Sequence, residues 1–112
     1  KRRIIRESTM QVQFTFDDEL MKKSGYEREN VYYTIKKHFL QRGLKCISED
    51  ENLIFADTGN ENDYGNMWAV IMGLVKSDWF DKCASSCIFV EDGEIEDVLV
   101  QIPKLRKIMA IA

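Results

Sequence analysis

Two adjacent carboxylates, Asp17 and Asp18, are the first candidates for chemistry because they directly follow a segment with strand-like alternation. Residues 11–16 alternate polar and apolar side chains, which places them in turn on the two faces of a sheet. Carboxylates at such a strand end can hold Mg²⁺, which favours one or two carboxylates together with waters and phosphates. The ion would activate water or stabilise charge while a phosphodiester is cut. The alternative is that both residues cap the next segment and remain solvated.

Basic and aromatic residues close to this corner in sequence suggest a way to hold nucleic acid. The predicted phosphate contacts are Lys22, Lys23, Arg28, Lys36 and Lys37. A solvated charged surface is the alternative for these cations. Tyr33 lies off the apolar stripe of its predicted helix, so it is the tyrosine whose hydroxyl we expect in a catalytic site.

The histidine and the cysteines support weaker predictions. His38 is the only histidine, and it is a candidate general acid or base in a metal-free ribonuclease, although a surface position is the more ordinary interpretation. Cys83 and Cys87 are close in sequence and Cys46 is far from them, whereas zinc sites use four ligands in paired spacings. Buried free thiols are therefore predicted.

The composition is that of one globular domain. The 112 residues are 45% hydrophobic and 31% charged, and the formal net charge is −3. Binding to a polyanion therefore requires a local basic patch or a bound metal. No apolar run approaches the roughly 20 residues of a membrane helix, and no signal peptide is recognisable. Three cysteines without framework spacing favour a reducing cytoplasm.

The first half of the chain must position the candidate site. After the strand over 11–16, residues 19–28 are predicted to form a connecting loop with a turn at Ser24 and Gly25. A helix over 29–42 follows and ends at Gly43. Residues 44–48 and 52–56 then form a hairpin with an acidic tip.

The second half supplies another helix and two further strands. The helix covers Asp63–Lys76, with Asn60 or Asn62 as its cap, and its internal glycines indicate close packing on a sheet or partner. Strands are predicted over 87–91 and 96–102. We expect one domain over 10–103, preceded by a basic leader over 1–9 and followed by a tail over 104–112. The leader is interpreted as an edge strand, a nucleic-acid arm or residues upstream of a native start at Met10, and a leader without function is the favoured interpretation.

This order of elements predicts an α+β fold. It suits a ferredoxin-like βαββαβ sandwich with an additional C-terminal strand, in which one antiparallel sheet carries two helices on one face. The polar face of the sheet would remain open, and in a domain of this size it is a natural surface for a second copy.

The sequence resembles the virulence-associated protein D family of toxin-type endoribonucleases, whose ferredoxin-like fold is shared with the small nuclease subunit of CRISPR spacer acquisition. The resemblance extends over roughly 12–91. It rests on Phe16 and Asp17 at the end of the first strand and on the helical segment 31–35 that leads to Gly43 and Leu44. It continues through 53–55 and is strongest over 61–80.

The resemblance implies a homodimer that cleaves RNA, with the two Asp17 residues near one another as catalytic or metal-linked groups, and a toxin–antitoxin setting with a protein antitoxin. A different interpretation of the same scaffold is a non-catalytic dimeric binding module. Its acidic surface would mimic nucleic acid and regulate a nucleic-acid-binding partner. The acidic residues concerned are Asp17, Asp18, Glu49, Asp50 and Glu51.

Overall fold

The structure, a computed structural model, describes residues 10–111, so the leader predicted over 1–9 lies outside the described residues. Within that range the chain folds into five strands and five helices, and the predicted α+β class is confirmed. In chain order the elements are β1 (Met10–Phe16), α1 (Asp18–Ser24), α2 (Arg28–Gln41), β2 (Lys45–Glu49), β3 (Leu53–Ala56), α3 (Asp63–Lys76), α4 (Phe80–Cys83), β4 (Ala84–Glu91), β5 (Glu94–Asp97) and α5 (Val98–Ile111).

The strands form one sheet in the order β2-β3-β1-β4-β5, and every neighbouring pair is antiparallel. The first strand therefore lies at the centre, between β3 and β4. Its register pairs Gln13 with Ile54 on one side and with Ile88 on the other. A strand in this position is fixed on both edges, which makes its end a rigid place for a functional side chain.

One face of the sheet is buried under the helices. The apolar residues of β1 alternate as expected and are at most 8% exposed: Met10, Val12, Phe14 and Phe16. They join a single core cluster with residues of α2, α3 and α5. The ring of Phe14 meets Phe39 and Phe80 edge-on, at centroid separations of 5.9 and 5.8 Å. Three long helices thus contribute to this core, where the sequence predicted two.

The opposite face of the sheet, which we call the open face, carries the polar residues of β1 together with aliphatic neighbours. Gln11, Gln13 and Thr15 are half-buried there, because their register partners flank them on the same face. These partners include Ile54, Ile88 and Val90, and Val90 is in turn paired with Ile95. Ile95 is 71% exposed, so the open face ends in an uncovered aliphatic side chain.

The loop predicted over 19–28 is wrong, because its first part is the helix α1. Asp17 has an extended backbone and accepts hydrogen bonds from the N–H groups of Glu19 and Leu20, which caps the helix. Met21 is buried and fixes the helix to the core. Gly25 ends it with a φ of 82°, a left-handed conformation that favours glycine. The turn expected at Ser24 and Gly25 is therefore confirmed as a helix end.

The strand predicted over 96–102 is also wrong beyond Asp97. The strand β5 ends there and the chain continues as α5 to Ile111, through most of the tail predicted over 104–112. Val98 and Ile102 are buried four residues apart, which is the helical spacing, whereas Val100 is 75% exposed. Pro103 lies within the helix.

The helix predicted over Asp63–Lys76 is confirmed with the same bounds, but its cap differs from the prediction. The Asn62 side chain makes no capping hydrogen bond. The buried Asp63 carboxylate instead accepts hydrogen bonds from the N–H groups of Thr58 and Asn60, which ties the preceding loop to the helix. Gly73 is exposed and a Cβ there would contact nothing, so packing within the described chain does not explain that glycine.

Candidate functional site

The corner between β1 and α1 presents Asp17 to solvent. The Asp17 N–H donates to the carbonyl of Cys83 at 3.2 Å, which holds the end of β1 against the chain that leads into β4. Its Oδ1 accepts the two capping bonds, at 2.8 Å from Glu19 and 3.2 Å from Leu20. No described residue donates a hydrogen bond to Oδ2. The carboxylate is thus oriented through one oxygen, while the other accepts no hydrogen bond from any described residue and the side chain is exposed.

Asp18 is neutralised by Arg28 across the corner. The guanidinium donates to Asp18 Oδ1 from Nη2 at 2.8 Å and from Nε at 3.1 Å. The same side chain donates to the Phe16 carbonyl at 3.4 Å and to the Tyr32 hydroxyl at 2.7 Å. Partial burial opposes its charge, but the hydrogen bonds and charges of Asp18 and Tyr32 together outweigh burial and raise the pKa of Arg28. Arg28 therefore joins β1, α1 and α2 at the corner.

The other predicted site residues fall into two groups. Lys22 and Lys23 are exposed on α1, on the same short helix that Asp17 caps. Tyr33, Lys36 and Lys37 lie on α2 instead. Lys36 donates to both carboxylate oxygens of Glu49 at 2.9 and 3.0 Å, and that hydrogen bond raises the pKa of its amine.

Two shallow cavities on the surface of α2 share residues from these groups. The first, of about 330 Å³, has Arg28, Tyr33, Lys36 and Glu49 among its lining residues. The second, of about 410 Å³, is lined by Tyr33, Lys36, Lys37, Leu40 and Gln41. Because Tyr33 and Lys36 line both, the two depressions adjoin, and the first reaches the arginine that holds Asp18.

The donor set for a divalent metal is small. Among the described residues no group of three or more histidine, cysteine or acidic side chains is arranged to hold a metal ion. Mg²⁺ is commonly bound through only one or two carboxylates plus waters and substrate phosphates. Asp17 fits this pattern through its Oδ2, which accepts no hydrogen bond from the described residues. Asp18 fits less well, because Arg28 already occupies its Oδ1.

The three thiols and the histidine form no hydrogen bond with Asp17 or Asp18 among the described residues, although the backbone of Cys83 contacts that of Asp17. Cys83 and Cys87 are buried, and Cys46 is half-buried, so the prediction of free thiols is confirmed. Burial raises the pKa of all three and suppresses thiolate reactivity. His38 is exposed and lines a separate cavity between α2 and α3. Within residues 10–111, no helix has the length and apolar character to cross a membrane.

Sequence reasoning missed the roles of two residues at this corner. It assigned Arg28 to phosphate binding and gave Tyr32 no contact with Arg28, yet the two side chains form a hydrogen bond at the corner. The four-residue spacing of Arg28 and Tyr32 on one helix was the available signal. The chain matches no protein-family model and no curated protein sequence.

Proposed function

We propose that this chain is a cytoplasmic, homodimeric endoribonuclease of the virulence-associated protein D type, in which Asp17 is the catalytic or metal-binding residue. The position of Asp17 carries the proposal. It stands at the end of the central strand, exposed and oriented by its capping bonds, with one carboxylate oxygen that accepts no hydrogen bond from the described residues. Geometry of this kind is what a general base or a metal ligand requires.

The proposal includes a ferredoxin-like arrangement for the first four strands. The strand order β2-β3-β1-β4 supports it, together with α2 between β1 and β2 and α3 between β3 and β4. The short helix α1, the edge strand β5 and the helix α5 are additions to that pattern. None of these additions interrupts the pairing of β1 with β4, which holds Asp17 in place at the end of β1.

The open face supports a homodimer. Its aliphatic residues lie on two strands, with Ile54 on β3 and Ile88 and Val90 on β4, on either side of the glutamines of β1. Ile95 extends the aliphatic surface to the edge strand β5. Alternation along β1 places Asp17 on the same side as Thr15, at the rim of this face. Two copies that meet through their open faces would bring their two Asp17 residues to one cleft.

In the proposed reaction an RNA phosphodiester lies against Asp17. The carboxylate accepts a proton from the attacking hydroxyl or water, a new P–O bond forms, and the bond to the leaving oxygen breaks. The leaving oxygen then takes a proton from solvent. Lys22 and Lys23 on α1 compensate the charge of the phosphate. Arg28 acts as a positioning residue, because its hydrogen bonds hold Asp18 and the end of β1.

A magnesium ion is part of the proposal. When bound, Mg²⁺ supplies stabilisation of the charge that develops on the phosphate oxygens. The Oδ2 atom of Asp17 is the ligand that this chain offers, and the partner copy would provide a second one. Asp18 would contribute only if it exchanged its contact with Arg28.

The proposal is tested by incubating the purified chain with a long RNA that contains both hairpins and unpaired regions, in Mg²⁺ and in EDTA. We expect internal cleavage in Mg²⁺, seen as discrete fragments on a denaturing gel, and loss of cleavage in EDTA. Cleavage that persists in EDTA would remove the metal from the proposal. Intact RNA under both conditions would contradict the nuclease itself.

The alternative function is an acidic binding module that blocks a partner's basic groove. The exposed acidic residues of β5, namely Glu94, Glu96 and Asp97, favour it because they form a negative edge strand. Against it, Asp18 is paired with Arg28 and Glu49 with Lys36, which reduces the negative charge of the predicted acidic surface. This function predicts that the chain does not cleave RNA. It also predicts that the chain binds a basic protein, either an antitoxin or another partner, with strongly salt-dependent affinity.

A further inference from the structure

The outward surface of α2 carries aromatic, aliphatic and basic side chains that the fold itself does not use. Tyr33 is 66% exposed and Leu40 is 50% exposed, although both lie on a helix whose other face is fully buried in the core. Lys36 and Lys37 lie between them. We call Tyr33, Lys36, Lys37 and Leu40 the α2 track.

The track is positively charged. Lys37 is exposed and forms no ion pair with any described residue. Lys36 is held by Glu49, which leaves its stem along the surface and its charge partly compensated. None of the described residues that line the 410 Å³ depression is acidic. The depression therefore combines a ring face, an aliphatic side chain and an uncompensated cation in a chain of net negative charge.

The track also continues towards the proposed catalytic corner. Tyr33 and Lys36 line the 330 Å³ depression together with Arg28, which contacts Asp18 directly. Glu29 and Glu49 line the same depression, so the uncompensated positive charge of the track lies at Lys37. Along the helix axis Arg28 and Lys37 are separated by roughly 14 Å, from a rise of about 1.5 Å per residue. A bound strand can thus run from the corner along α2 without crossing the hydrophobic core.

We propose that the α2 track binds single-stranded RNA, with an unpaired base stacked on the ring of Tyr33 and the adjoining phosphate held by Lys37. The strand's identity as RNA rests on the proposed function, whereas its single-stranded character follows from the track. Every base has a face that stacks on an aromatic ring, so such contacts tolerate sequence while requiring an unpaired base. In a duplex the bases are stacked inside the helix, so a surface tyrosine can contact only the sugar–phosphate backbone.

In this proposal the aromatic ring of Tyr33 stacks on the base, and the Tyr33 hydroxyl takes no part in binding. The hydroxyl forms no hydrogen bond with any described residue, whereas that of the neighbouring Tyr32 is held by Arg28. A phenylalanine at position 33 would preserve stacking and remove the hydroxyl. Comparison of Tyr33→Phe with Tyr33→Ala therefore separates the two roles.

The experiment measures binding of a fluorescent single-stranded oligoribonucleotide and of a blunt RNA duplex of the same length by anisotropy. The Asp17→Asn variant serves as the parent protein, so that cleavage does not deplete the probe. We expect tighter binding of the single strand. Tyr33→Ala weakens it between about 5-fold and about 150-fold, the range of one base–aromatic stack, and Tyr33→Phe leaves it unchanged. Lys37→Ala lowers the slope of log affinity against log salt by about 0.7.

Matched controls come from other helices. Tyr64 on α3 is 50% exposed and Lys104 on α5 is exposed, and neither lines the two depressions. We expect Tyr64→Ala and Lys104→Ala to bind like the parent. Equal loss from Tyr64→Ala and Tyr33→Ala, or equal affinity for strand and duplex, would overturn the proposal. So would Tyr33-dependent capture of an acidic protein in place of RNA.

The outcomes separate this inference from the nuclease. Single-strand binding that depends on the Tyr33 ring, without RNA cleavage by the wild-type chain, would support RNA binding by the α2 track and contradict the proposed nuclease activity. Asp17-dependent cleavage by the wild-type chain, with an unchanged KM in Tyr33→Ala, would support the nuclease activity and contradict RNA binding by the α2 track. Loss of cleavage in Tyr33→Phe, with binding intact, would give the hydroxyl a part in the reaction and contradict a role for the ring alone.

Discussion

At the scale of single residues, Asp17 caps a helix through one carboxylate oxygen, and its proposed chemical role uses the other oxygen. Its Oδ1 caps α1, whereas its Oδ2 accepts no hydrogen bond from any described residue, and the side chain as a whole is exposed. The sequence predicted the position of Asp17 because strand alternation ends there. It left open whether the residue caps or reacts, and capping is now observed. It could not predict that Arg28 closes on Asp18, because a side-chain contact between separate elements depends on their packing.

The buried thiols give a residue-scale prediction about pH. Burial raises the pKa of Cys87 strongly, so the folded state retains a thiol proton that the unfolded state releases above about pH 8.5. The contribution to stability is therefore complete below that pH and is lost as pH rises towards the folded pKa. We expect the free energy of unfolding to fall by up to about 1.4 kcal/mol per pH unit from this thiol.

Urea unfolding between pH 7 and pH 10, under reducing conditions, measures this slope. The Cys87→Ala variant should be less stable at pH 7 because its side chain is removed from the core, yet its stability should depend less steeply on pH. Identical slopes for the variant and the wild type would show that Cys87 does not titrate differently in the two states.

At the scale of elements, periodicity predicted most of the chain and failed at both ends of the described domain. α3 and the central strand were found where alternation and helical stripes placed them, because buried faces dictate those patterns. α1 is too short to show a stripe, and its cap and Met21 define it instead. α5 was mistaken for a strand because Val98, Val100 and Ile102 also fit an alternation of two.

Arg106 supplies an element-scale prediction for α5. Its Nε donates to the Val75 carbonyl at 2.8 Å and its Nη2 donates to the Ser77 carbonyl at 2.9 Å, at the C-terminal end of α3. Asp81 accepts a further contact from the same guanidinium. We expect Arg106→Ala to lower the free energy of unfolding by about 1–3 kcal/mol, since two carbonyls lose charged donors.

Chemical denaturation measures this effect, with Lys107→Ala as the control because Lys107 is exposed on the same helix. Arg106→Lys should restore only part of the stability, because an ammonium group lacks the planar fork that reaches both carbonyls. Equal stability of Arg106→Ala and Lys107→Ala would mean that α5 is held by its apolar residues alone.

At the scale of the whole molecule, the proposed dimer depends on the open face. The sequence predicted a polar face from the glutamines of β1, and the register adds Ile54 and Ile88 beside Gln13. The sequence of β1 alone cannot predict these neighbours, because they depend on how strands that are distant in sequence pair with it. We expect Ile88→Glu to place a charge in the interface and convert the dimer to a monomer.

Light scattering coupled to size exclusion measures this change, and Lys104→Glu on α5 is the control for an added negative charge. The Ile88→Glu monomer should remain folded by circular dichroism, because Ile88 belongs to the face that the described helices leave uncovered. A wild-type chain that is monomeric at high micromolar concentration, or a variant that stays dimeric, would contradict dimerisation through this face.

The most direct test of the central claim compares RNA cleavage rates for the wild type, Asp17→Asn and Asp17→Ala at equal concentrations of folded protein. Asparagine caps a helix as well as aspartate does, so Asp17→Asn should keep the wild-type melting temperature, while Asp17→Ala should lose about 0.5–2 kcal/mol of stability. We predict that both variants cleave RNA at least about 100-fold more slowly than the wild type. A wild-type rate in Asp17→Asn would show that Asp17 only caps α1 and would contradict the proposed mechanism.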